Sequence, residues 1–410
     1  MRSIISLLVL PLLFAAGTSY AQPLTPEETF PTSLHATRPG KAHFYAQQRG
    51  GFEQLTGVPM SDLPCLACHA ATKADGTPID NASYQPDCAD CHKQEGDEVA
   101  DSVCLGCHQR QGLERTRFAD DVHVAAGMTC MSCHSQREMH GDGTSYDSQL
   151  QNGAMDTKCQ NCHPSRVKNT AHTEHEKSLD CTACHVQSVV SCNNCHFDSQ
   201  VAGGGRRFYA PPETNFTFLV RRKGSGKIRT ATMQTLIYGD KTFVVIAPYA
   251  AHAVTKKARA CEDCHDNANV RAYSTTGKIA VMRWDAAASR LKGVTGVVPV
   301  PPDWHTALTF DFVTYTGDAA DPVTDPNAWA FAKSGTDLRQ MLFAEPLTAE
   351  QIGKLKQPEP STWDKITAPF SGSGGCTLGG NGAADPTLAA LLAAALAVLG
   401  LRRGFGRKAR

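Results

Sequence analysis

CTACHVQSVVSCNNCH, residues 181–196, holds two Cys-x-x-Cys-His units with only six residues between His185 and Cys192. The same unit occurs six more times, at Cys65-Cys68-His69, Cys88-Cys91-His92, Cys104-Cys107-His108, Cys130-Cys133-His134, Cys159-Cys162-His163 and Cys261-Cys264-His265. With Cys181-Cys184-His185 and Cys192-Cys195-His196 that makes eight. Two thiols placed to bond the vinyl groups of a porphyrin, followed at once by an imidazole for its iron, are the attachment signature of haem c. Cys-x-x-Cys pairs also build zinc sites, but those have no use for a His after every second Cys. Sixteen half-cystines spaced two residues apart would close strained local loops, not long-range staples. Eight covalently attached haem c groups are therefore expected.

The chain has 16 histidines, so eight lie outside the units: His35, His43, His123, His140, His172, His175, His252 and His305. One spare imidazole per iron would close every second axial position. Context favours His123, His140, His172, His175 and His252, each close to a Cys pair, as in DVHVAAGMTCMSCH and AHTEHEKSLDCTACH. His43 stands ahead of the first unit and His35 near the start of the mature chain. His305 comes 40 residues after the last unit and reads equally as structural. An iron with two imidazoles offers substrate no open position, and its potential is low because His is a stronger donor than Met. No residue is singled out as catalytic.

Both ends carry their own message. Residues 1–21 combine Arg2, the apolar stretch IISLLVLPLLFAAG and a Ser19-Tyr20-Ala21 cleavage site, the layout of an export signal. At the other end SGSGGCTLGGNG contains the one cysteine outside the pairs, Cys376. A short apolar run to Leu401 and five basic residues follow. That layout resembles bacterial C-terminal sorting signals, which implies processing or lipid attachment at Cys376; a one-helix tail anchor is the alternative. Either way the tail associates the protein with a membrane, at the periplasm or outer surface. The whole chain has 40 basic and 40 acidic residues. Removing residues 1–21 takes one Arg, and removing 377–410 takes five basic residues and Asp385, which leaves 34 basic against 39 acidic. An acidic mature protein excludes a nucleic-acid function, which wants a basic face, and suits redox partners with basic patches.

From Cys65 to His196 seven units share 132 residues, about 19 each, too few for an apolar core. The expected fold is a multihaem cytochrome c: short helices and loops wrapped round a haem core, with a small antiparallel hairpin insertion and little regular secondary structure. The expected organisation is a signal peptide (1–21), a heptahaem region (22–200), a hairpin insertion leading to the eighth haem (201–270), a C-terminal wrap or docking segment (271–370), and a linker, short transmembrane helix and basic tail (371–410). The hairpin is read from NFTFLVRR and KIRTATMQTLIYG about Gly224-Ser225-Gly226. The six-residue interval would set the sixth and seventh porphyrins side by side or edge to edge.

On DVHVAAGMTCMSCH, HGDG, HTEHEKSLDCTACHVQSVVSCNNCHF and HAVTKKARACEDCH, the chain resembles bacterial multihaem, octahaem, cytochromes c over roughly residues 43–265. The resemblance implies electron relay to other cytochromes or to metal oxides, fed by quinol-oxidising membrane complexes. Two alternatives stay open. One is an octahaem oxidoreductase of nitrogen or sulfur oxyanions with one open iron. The other is a polymerising surface cytochrome that takes an imidazole such as His35 from the next copy.

Overall fold

A computed structural model describes residues 23–358 apart from 64–71, 81–83, 95, 119, 166, 168, 203–206 and 318–327. The export signal, the Cys65-Cys68-His69 unit, and the tail with Cys376 therefore lie outside the described residues. Among the described residues no helix is long and apolar enough to cross a membrane.

Up to His185 the chain is short helices, turns and loops. Its longest helix, Gln109–Arg117, has nine residues. Between residues 72 and 178 the buried hydrophobic side chains, among those described, are Phe118 and Ala154 alone. Burying one large apolar side chain is worth about 2 kcal/mol, against about 1–2 kcal/mol of backbone entropy for every residue ordered. Such a segment has no apolar core of its own to hold it.

The remainder is not a hairpin insertion with a loose wrap, and here the expected fold class is corrected. Among the described residues twelve strands form two sheets. They are β1 Ser191–His196, β2 Arg207–Glu213, β3 Phe216–Arg222, β4 Ile228–Tyr238, β5 Lys241–Pro248, β6 Ile279–Asp285, β7 Arg290–Gly293, β8 Gly296–Pro299, β9 Leu308–Tyr315, β10 Trp329–Ser334, β11 Leu338–Met341 and β12 Ala344–Glu345. The eight-stranded sheet runs β11-β5-β4-β1-β2, with β3 beside β4 and β8 and β12 beside β3; the four-stranded sheet runs β10-β9-β6-β7.

The Gly224-Ser225-Gly226 turn does join β3 to β4, where Gly224 and Gly226 take positive φ. But β4 also pairs in parallel with β1, β11 with β5, β8 with β3, and β9 with β6. Parallel partners lie far apart in sequence, and no turn residue announces them. The stretch after residue 270, read from sequence as a wrap, contributes β6 to β12 and ends in the helix Ala349–Leu355, capped by the Thr348 hydroxyl.

Both faces of the large sheet are covered, so β3 and β5 read as continuous apolar runs, not alternations. On one face Phe218, Met233, Val244 and Ile246 meet Met282, Phe310, Phe312 and Trp329 of the small sheet. On the other, Leu236, Phe243 and Val245 meet Phe52, Leu55, Met60 and Phe197.

Candidate haem-binding site

Local structure on the Cys pairs comes first. Five of the pairs lie on one tight helical turn whose His N–H donates back to the carbonyl of the first Cys. The bonds are His92 to Cys88 (2.9 Å), His108 to Cys104 (2.9 Å), His134 to Cys130 (3.0 Å), His163 to Cys159 (2.9 Å) and His265 to Cys261 (2.7 Å). A sixth, Cys181–His185, is an α-helical turn in its own right. On such a turn residues i, i+3 and i+4 share one side, so two thiols and an imidazole converge. Asp87, Thr129 and Asp180 at the turn entries hold these starts by capping bonds.

Each of five unit histidines then faces a histidine from elsewhere. Ring centres are 6.1 Å apart for His108 and His35, 6.1 Å for His92 and His140, 6.2 Å for His163 and His123, 6.3 Å for His185 and His172, and 6.3 Å for His265 and His175. A metal about 2 Å from two imidazole nitrogens puts ring centres about 6.3 Å apart if the nitrogens are opposite, and about 5 Å apart at a tetrahedral angle. The observed spacing is the one two imidazoles would take if they held a single metal ion from opposite sides. Among the described residues no three or more His, Cys, Asp and Glu side chains come together as a metal cluster. The donor set therefore fits an iron whose other four ligands belong to a porphyrin.

The outer nitrogens support the same assignment. His172 Nδ1–H donates to the Val167 carbonyl (2.7 Å) and His185 Nδ1–H to the Thr255 carbonyl (3.0 Å). In another pair, His175 Nδ1–H donates to Ala171 (3.1 Å) and His265 Nδ1–H to Lys354 (3.1 Å). His92 does the same to Asp97 (3.1 Å). Fixing the proton on Nδ1 turns the Nε2 lone pairs toward each other, as metal-ligating imidazoles require. Burial pushes His35 and His108 below the ordinary imidazole value, with His140 and His134 adding to the shift of His35 and His35 adding to that of His108. Both shifts favour the neutral form, the one that ligates a metal.

His134 and His252 are held differently, by carboxylates that sequence reading missed. Glu138 Oε2 lies 2.6 Å from His134 Nδ1, and the Asp156 and Thr157 N–H groups donate to Glu138 Oε1. Glu114 Oε2 accepts from His252 Nδ1–H (3.2 Å) and from the His252 backbone N–H (3.1 Å). His35, His134 and His252 all lie near enough to His108 to hold down its pKa. The i, i+4 spacing of His134 and Glu138 was a signal available in the sequence; the Glu114 contact, 138 residues long, was not.

Thiols of successive units lie within electrostatic reach of one another. Burial raises Cys91 to about 11, and Cys104 and Cys107 push it the same way. Burial likewise raises Cys130 to about 12, with Asp101 and Cys104 adding to the shift. Cys133 is raised by burial and then by Cys162. A hydrogen bond with Cys181 raises Cys159. Burial raises Cys264 to about 12, and Cys184 lies beside it. Each of the units at Cys88, Cys104, Cys130, Cys159 and Cys181 thus has a thiol within electrostatic reach of a thiol of the next in the series that ends at Cys261. An Arg115–Asp101 ion pair, whose Asp101 also accepts the Cys130 N–H (2.8 Å), ties the second step of that series.

The other candidates stand apart. His43 stacks on Phe343 (6.0 Å) and faces Asp147 (3.4 Å). His305 stacks on Trp304 (4.1 Å). Cys192, Cys195 and His196 lie in β1. Comparison with protein-family models, with curated proteins and with solved structures finds no match to this chain.

Proposed function

We propose that this protein is an electron relay whose described units carry a row of covalently attached haem c groups, each iron held between two imidazoles. The observation that carries the reading is the set of five His–His pairs at 6.1–6.3 Å. Its second support is the missing apolar core between residues 72 and 178, where only a bulky apolar cofactor would replace what the side chains do not supply. When bound, haem supplies one-electron exchange between ferric and ferrous iron.

The residues of the chain do the rest. The Cys pairs fix each macrocycle, the paired imidazoles close both axial positions, and the Nδ1 carbonyl contacts hold ring orientation. The closeness of neighbouring thiols keeps successive units side by side. His43 and His252 are the imidazoles left for the Cys65 and Cys130 units. Export, membrane association through the tail at Cys376, and exchange with other redox proteins complete the proposal.

Small oxyanions test it. Titration of the ferric protein with nitrite or sulfite should leave the haem absorption bands unchanged, because no axial position is open. A saturable band shift would favour the oxidoreductase alternative.

A further inference from the structure

The unit at Cys192 does not have the geometry of the others. Residues 191–196 are strand β1, bonded to β4 on one side and β2 on the other. In the helical-turn units the two thiols and the imidazole share a side; along a strand, side chains alternate between faces. One irregularity alters that alternation. Asn194 takes φ 49°, and Cys192 and Cys195, three residues apart, pair with Gln234 and Leu236, two apart. This bulge puts both thiols on one face and leaves His196 on the other.

The contacts confirm the division. Arg110 Nη2 lies 3.9 Å from Cys192 Sγ while its Nη1 reaches Thr232 Oγ1 (3.4 Å). Gln234 Nε2 lies 3.6 Å from Cys195 Sγ, which packs with the cluster of Leu236, Phe243 and Phe52. His196 points the opposite way. Its Nε2 is 3.3 Å from the Val313 carbonyl, and its ring centre is 5.2 Å from that of Trp329, within the other core. One macrocycle cannot be bonded to sulfurs on one face of a sheet and ligated by an imidazole on the other. Both edges of the strand are paired, with β4 on one side and β2 on the other.

The unit has a different task in this fold. Asn194 Oδ1 accepts the Val313 N–H (3.0 Å), and His196 Nε2–H donates to the Val313 carbonyl. Together they grip both polar groups of one β9 residue and clamp the large sheet to the small one. The Asn194 N–H is in turn fixed by Thr235 Oγ1 (2.8 Å).

We propose that Cys192-Asn193-Asn194-Cys195-His196 binds no haem: the mature protein carries seven haems, Cys192 and Cys195 keep their thiols, and the unit serves as a structural clamp. The inventory of spare imidazoles agrees. Five of the eight face a unit histidine, and His305 lies against Trp304. If the remaining two, His43 and His252, serve the Cys65 and Cys130 units, seven distal imidazoles match seven irons and none is left for the Cys192 unit.

This inference rests on the haem reading of the other units, and the experiment separates the two. The purified holoprotein is weighed intact, then denatured, reduced, alkylated with iodoacetamide and digested. Expected are the mass of seven haems and a peptide spanning 188–202 alkylated at both Cys192 and Cys195. Eight haems, with that peptide carrying one, would overturn this inference and leave the relay intact. A protein without haem would sink the relay reading itself. As a second measure, the Cys192→Ser/Cys195→Ser double variant should keep its haem-to-protein ratio; loss of one haem from an otherwise soluble product would also overturn the inference.

Discussion

His134 and Glu138 show how a single side chain tunes a redox group. A carboxylate that accepts the Nδ1 proton gives the imidazole anionic character, makes it a stronger donor to ferric iron and lowers the potential. Buried Glu138 would do this for a haem on His134, and buried Glu114 for one on His252. If those two imidazoles share the iron of the Cys130 unit, that haem has the lowest potential in the row. Glu138→Gln keeps an oxygen for the Asp156 and Thr157 N–H groups but removes the charge. Trading a charge-assisted bond for a neutral one is worth about 1 kcal/mol, on the order of 40 mV for a one-electron couple. Potentiometric titration should show one haem moved upward by that amount and the others unmoved. At this scale much of the site was legible in sequence: the eight Cys-x-x-Cys-His units and the spare histidines are countable there, and five of those spare histidines face a unit histidine. What it left out was pairing. His123 stands seven residues before Cys130 yet faces His163 of the next unit, and His140 follows Cys133 yet faces His92, two units earlier. Proximity along the chain is a poor guide where short helices fold back on their neighbours.

Elements explain why the same five-residue pattern has two outcomes. CTACH forms a helical turn because Asp180 caps its start, its side chain accepting from the Thr182 N–H and hydroxyl. CNNCH follows Val189 and Val190, β-branched residues that are both fully buried, and enters a sheet whose β4 strand offers an eleven-residue edge. Tertiary pairing overrides the local pattern there, so the expected side-by-side sixth and seventh porphyrins find no counterpart in the arrangement of these residues. The clamp on Val313 is measurable. Asn194→Ala removes the acceptor of a buried N–H and should cost about 1–3 kcal/mol in chemical denaturation. The strands after residue 270 were harder to read. IAVMRWD and LTFDFVTY alternate clearly enough, but their pairing is parallel and joins residues about 30 positions apart through a helix, with no tight turn to mark it.

Taken whole, the molecule has two means of support. The β-sheets hold a conventional core in which Phe218, Phe243, Phe310, Phe312 and Met233 are wholly buried. The helical segment before them has almost none among its described residues, so on the relay proposal cofactor binding and folding would be one event there. Chemical removal of the thioether-bound haems should therefore abolish the helical circular dichroism of the N-terminal part and preserve the strand signal. Loss of both signals together would show that the sheets also depend on the cofactor. The proposed export and membrane association would bring an acidic mature chain to basic redox partners, and thiols of successive units within electrostatic reach of one another would suit conduction from unit to unit. All of this depends on both axial positions of every iron being closed. Low-temperature electron paramagnetic resonance of the ferric holoprotein, with the high-spin signal integrated against total haem, tests that directly. The relay account predicts that every iron is low-spin. A high-spin signal amounting to one haem per chain would contradict it and show an iron open to substrate.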